Sequence, residues 1–148
     1  MIIKRMRVLY FGFKTANGRI YLEKDFNIDE LNEKALKKTA LGELDHPSSL
    51  EISLRNVSHS ILKYEKDNLG LLADILILNT PNGKIAKTMI NYLVLRPRAV
   101  GNILPNGNVT NYKLITCDLI NKKDDDFSTA SIRRFLLNKK LKKIKAIC

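Results

Sequence analysis

The chain has 148 residues, 45% of them apolar and 28% charged, and its 26 Lys and Arg against 15 Asp and Glu give a formal net charge of +11. That length suits one domain that can bury a core without covalent cross-links, and no apolar run nears the ~20 residues of a membrane span. Two cysteines and two histidines are too few for a disulfide framework or a four-ligand structural zinc site, so Cys117 and Cys148 read as free thiols and neither metal nor cofactor is expected.

The start, Met1–Phe13, mixes charges into its apolar residues and reads as a strand, not a signal peptide. The strand is placed at Met6–Lys14, with a turn at Asn17-Gly18 and a second run at Arg19–Glu23. A short helix follows, with Asp29 as its cap and Glu30/Lys34 and Glu33/Lys37 as (i, i+4) pairs. Leu50–Leu54 alternates weakly. Val57–Glu65 and Gly70–Leu78 read as strands separated by a turn at Lys66–Asn68, with Asp74 paired to a basic residue because a lone buried carboxylate is costly. Asn79–Gly83 breaks the second of these strands, and Ile85, Met89, Ile90 and Leu93 fall at helical spacing. Tyr92–Ile103 and Asn108–Ile120 are strands joined across Pro105-Asn106-Gly107.

Residues 122–148 carry nine Lys and Arg and three Asp, so this short segment holds more than half of the excess charge. Asp124–Thr129 opens it as a helix N-terminus. Ile132, Phe135, Leu136, Leu141 and Ile144 then form an apolar stripe, with Arg133, Arg134, Lys139, Lys140, Lys142 and Lys143 around it. These six cations are candidate partner-binding residues. The expected fold is α+β, mainly β: a small closed or partly closed barrel of about seven strands with helices outside it. Residues 1–121 form the barrel domain, and residues 122–148 a basic helix packed on it or extending from it.

The segment Leu41-Gly42-Glu43-Leu44-Asp45-His46-Pro47 resembles the Gly-Glu-Leu-x-His-Pro block of tailed-bacteriophage prohead proteases, the capsid-maturation serine proteases related to herpesvirus assemblins. Val57–Ile61 resembles the strand after that block, Ala73–Lys84 the family's strand and Thr-Pro-x-Gly-Lys helix start, Arg96–Gly101 its nucleophile block, and Leu114–Leu119 its closing strand. The resemblance implies an assemblin-like barrel, His46 as the general base and His59 as the group orienting it. It also implies two serines where Arg96 and Pro97 stand, ahead of Arg98. Neither residue can be a nucleophile, since proline has no reactive side chain and a guanidinium stays protonated.

Ser48, Ser49, Ser58, Ser60, Thr110 and Thr116 are weak substitutes, and Cys117 reads as a packed core thiol. His46 and His59 therefore read as vestigial catalytic positions, with His46 held by Asp45, Glu43 or backbone. Arg96 and Arg98 either meet an acidic partner or fill the former cleft. What the resemblance implies, given the missing serine, is a structural virion protein in a phage head: an auxiliary or decoration protein bound to the major capsid protein or other head proteins, with self-association possible. The alternative is an active prohead protease cleaving scaffold and capsid precursors. Nucleic-acid binding rests on charge alone, because the tail offers no aromatic stacking platform beyond Phe127 and Phe135.

Overall fold

The computed structural model describes residues 1–127 and Leu137, and the six tail cations and the expected tail helix lie outside that range. Six strands are present among the described residues: β1 (Ile2–Tyr10), β2 (Leu41–Glu43), β3 (Val57–Lys66), β4 (Gly70–Ile77), β5 (Leu93–Ile103) and β6 (Val109–Asn121). All pairings are antiparallel. One sheet has the order β1-β4-β3-β2, and β5 and β6 form a second.

Of the closed or partly closed barrel of about seven strands, the mainly antiparallel α+β character holds, but the described residues form no closed barrel: their six strands lie in two sheets. β1 packs beside β5, and β2 beside β6. At the second seam the backbone is joined by the Leu44–Leu119 bridge, with the Asp45 N–H donated to the Leu119 carbonyl at 2.8 Å. The Arg19–Glu23 run makes isolated bridges at Ile20 and Tyr21 and then a short 3₁₀ turn, and Leu50–Leu54 forms no strand. Leu50–Leu54 alternates in sequence, yet neither segment pairs beyond isolated bridges.

Helix α1 (Ile28–Leu36) is capped by Asn27, whose side chain accepts from the Glu30 amide, and not by Asp29. Its Lys37 pairs with Glu33 at 3.3 Å. Helix α2 (Pro81–Met89) begins inside the predicted break: Thr80 caps it and Pro81 takes its first position, where a missing N–H costs nothing. Leu93, placed in that helix by spacing, starts β5. Asp74 accepts from the Arg5 backbone N–H at 2.8 Å, so its partner is the amide of a strand bulge and not a basic side chain.

The core lies between the sheets, with Val8, Leu9, Ile61, Leu71, Ile75 and Leu95 among its fully buried side chains. Residues 122–127, assigned to the tail from sequence, pack on this body. Phe127 is buried against Tyr10 and Phe13, and the Asp126 carbonyl accepts from the Ala16 amide.

Candidate functional site

Three strands deliver one buried ionic cluster. In the β5–β6 ladder Arg96 stands opposite Asp118 and Arg98 opposite Thr116, so residues 96, 98 and 118 share a face. β2 brings Glu43 to the same place. Arg98 donates to both Asp118 oxygens, at 2.9 and 2.6 Å, and to Glu43 Oε2 at 2.6 Å. Its remaining N–H groups reach the Glu51 and Ser49 carbonyls and hold the loop after His46 in place. The Glu43 amide donates to Asp118 Oδ1 at 3.0 Å. Arg98, Glu43 and Asp118 are all buried. Burial pushes the Asp118 pKa up, but the hydrogen bonds from His46 and Arg98 outweigh it and hold the carboxyl below its ordinary value.

His46 sits at the rim of this cluster, and its Nδ1 lies 2.9 Å from Asp118 Oδ2. A carboxylate only accepts, so Nδ1 carries the proton, and Nε2 of the neutral ring is left as an acceptor. That is the orientation a general base requires. The turn presenting it places Asp45 at φ +67°, a left-handed conformation that aspartate tolerates. His46, Pro47, Arg96 and Pro97 line one cleft of about 450 Å³ together with Asp126 and Phe127. Among the described residues no Ser, Thr or Cys side chain hydrogen-bonds to His46.

His59 does not orient His46. It is fully buried, with Nε2 2.8 Å from the Cys117 carbonyl oxygen and Nδ1 2.8 Å from Ser58 Oγ. The carbonyl fixes the proton on Nε2, and the Ser58 hydroxyl donates to Nδ1. The side chain hydrogen-bonded to the His46 ring is Asp118, not His59. Burial holds the His59 pKa below the usual imidazole value, with the Cys117 carbonyl and Asp118 opposing. On acidification the unfolded chain therefore takes up a proton near pH 6.5 that the folded chain refuses, so stability is full above about 6.5 and falls toward the folded pKa. Urea unfolding between about pH 7 and 5 is expected to show a falling midpoint, and a flatter one in His59→Gln, whose amide still donates to the Cys117 carbonyl. An unchanged slope in the variant would assign the proton uptake to another group.

The two residues at the expected serine positions are used differently. Arg96 turns inward: Nε and Nη2 grip Asp125 at 2.7 and 2.8 Å, Nη1 donates to the Arg7 and Leu95 carbonyls, and the guanidinium lies over the Phe127 ring. Arg96 and Arg98 thus both spend their charge inside the chain. Pro97 pairs with Cys117 in the ladder and carries no polar side-chain atom. Cys117 is the core thiol its strand position suggests: it is fully buried, its Sγ is 3.7 Å from the Tyr64 hydroxyl, and burial pushes its pKa up to about 12. Among the described residues no group of three or more His, Cys, Asp or Glu is placed to hold a metal ion, and no helix is long and apolar enough to cross a membrane.

Sequence reasoning missed Asp118, Glu43 and Arg98 as one unit. The available signal was a lone carboxylate inside the apolar run Leu114–Ile120, the same signal that drew attention to Asp74.

No protein-family model matches the chain, and no curated protein matches it in sequence. Among solved structures it is similar to the bacteriophage T4 capsid assembly protease, gp21, with a TM-score of 0.62 and 19% identity over 81% of this chain and 90% of that one. Identity that low speaks to architecture alone, and the chain has a prohead-protease-like fold.

Proposed function

We propose that this chain is a prohead-protease-like domain without proteolytic activity, serving as a structural, auxiliary component of a tailed-phage head bound to the capsid lattice. The observation that carries the reading is the pair Arg96-Pro97 where the fold's nucleophile is expected. Peptide hydrolysis in this class needs a hydroxyl or thiol to attack the carbonyl while the imidazole takes its proton. Here His46 has Asp118 behind it, and no hydroxyl or thiol hydrogen-bonds to it among the described residues, while Arg96 is bound to Asp125 and the Arg7 carbonyl. The ionic cluster then persists for stability, since removing one member of a buried network leaves uncompensated charge. The basic residues Arg133, Arg134, Lys139, Lys140, Lys142 and Lys143 suit contact with an acidic capsid surface.

Incubation of the purified chain with prohead capsid and scaffold proteins is expected to give no cleavage, and a fluorophosphonate probe no labelling. Mature particles are expected to retain the chain in stoichiometric amounts. Specific cleavage abolished by His46→Ala would overturn the reading in favour of an active maturation protease.

A further inference from the structure

Helix α2 is amphipathic in the opposite sense to a helix that plugs a core. Its inward face consists of small residues, the buried Gly83 and Ala86. Gly83 is packed so closely that a Cβ there would lie 1.9 Å from the Leu78 carbonyl oxygen. The large apolar side chains point outward: Ile85 and Met89, one turn apart, are 50% and 41% exposed, and Tyr92 in the following turn is 63% exposed. Single exposed apolar residues are common, but three along one helical edge form a patch, and such patches mark interaction surfaces. The Ser53–Asn56 turn abuts the start of the helix, its Asn56 carbonyl accepting from Asn82 Nδ2 at 3.1 Å, and it adds the exposed Leu54 and Arg55. None of these residues lines the cleft beside His46.

We propose that this face docks a partner protein whose own surface is an apolar groove rimmed with carboxylates. Charge selects that occupant over the others. The helix carries Lys84 and Lys87 and no acidic residue, and Arg55 adds a third cation. A second copy docking through the same face would set both basic rims against each other, because a two-fold interface presents one patch twice. Residues 128–148 contain seven Lys and Arg and no acid, so they meet the same repulsion. An acidic rim neutralises the cations while the groove covers Ile85, Met89 and Tyr92. The inference goes beyond the proposed function, because it holds whether or not the partner is a head protein.

The test uses the full chain carrying the photocrosslinker benzoylphenylalanine at position 85 or 89, in the cells that naturally make it, with the crosslinked peptides sequenced. Adducts are expected with a different protein, through a segment rich in Asp and Glu, from both positions and not from position 36, a more exposed site on α1. The double variant Lys84→Glu/Lys87→Glu lowers the adduct yield roughly tenfold, about 1.4 kcal/mol, with unchanged circular dichroism, since both lysines are exposed. No adduct, an adduct with a second copy, with residues 128–148 or with lipid, or a yield insensitive to charge reversal would each overturn the proposal. A partner that is not a head protein would overturn the head reading and leave this one standing. A head protein captured only from other positions would do the reverse.

Discussion

Arg98→Met is expected to lower the unfolding free energy by about 3–5 kcal/mol at neutral pH, the usual cost of breaking a buried ion pair from one side. The methionine fills similar space but leaves Glu43 and Asp118 buried without their cation, and it frees the Ser49–Glu51 loop from the guanidinium. The pH dependence separates this cause from lost packing. In the wild type the Asp118 pKa lies below its ordinary value, so its contribution is present above the unfolded carboxylate pKa near 3.9 and is lost only as pH falls through the lower folded value. In the variant two carboxylates share a buried site with only His46 and the Glu43 amide left to offset them, and one is pushed to a raised pKa. Protonation then relieves the variant as pH falls, so the gap between the two proteins narrows between about pH 7 and 4. The His59 effect acts on both and cancels in the difference. Urea titrations across that range measure the gap, and a constant gap would point to packing as the cause.

Gly42→Ala is the second large expected effect. A Cβ at this position would lie 2.2 Å from His59 Nε2 and 2.3 Å from the Cys117 carbonyl oxygen. The hydrogen bond joining those two atoms therefore runs directly across the Gly42 Cα, and one of its ends is strand backbone that cannot rotate away. Overpacking of this kind costs about 1–3 kcal/mol and at times more. Each kcal/mol lowers Tm by ~2–4 °C in a domain of this size. Relief of the clash also moves β2, which carries Glu43 into the ionic cluster, so the variant is expected to weaken the Asp118–His46 contact as well. Thermal unfolding followed by circular dichroism measures the loss. Placing Gly42→Ala in a His59→Ala background is expected to recover part of the stability and not all of it, because the Cys117 carbonyl remains. An unchanged Tm in the single variant would refute the packing argument.

Much of the local structure is legible in the residues. Val57–Lys66 and Gly70–Ile77 are dense in apolar and branched side chains, and their turn is marked by Asp67, which accepts from the Leu69 and Gly70 amides. Pro105-Asn106-Gly107 marks the β5–β6 turn in the same way. The block Gly42–Pro47 and the helix start at Thr80 point to the prohead-protease-like fold from sequence. Less legible are features set by neighbours in space. The α1 cap moved from Asp29 to Asn27, and Arg19–Glu23 and Leu50–Leu54 stayed irregular, because no sheet edge recruits them into a ladder.

The chain's order of residues by itself determines where strands, turns and caps can form, since those depend on side-chain shape and on hydrogen bonds to nearby backbone. It also sets Arg96 and Pro97 where the resemblance to prohead proteases implies two serines. Tertiary structure alone decides which carboxylate holds His46, because Asp118 lies 72 residues away and Glu43 meets Arg98 across 55 residues. A local reading offers Asp45 and Glu43 as the partners of His46 on proximity. The fold instead brings β2, β5 and β6 together at one seam, and desolvation there demands that every charge find its opposite.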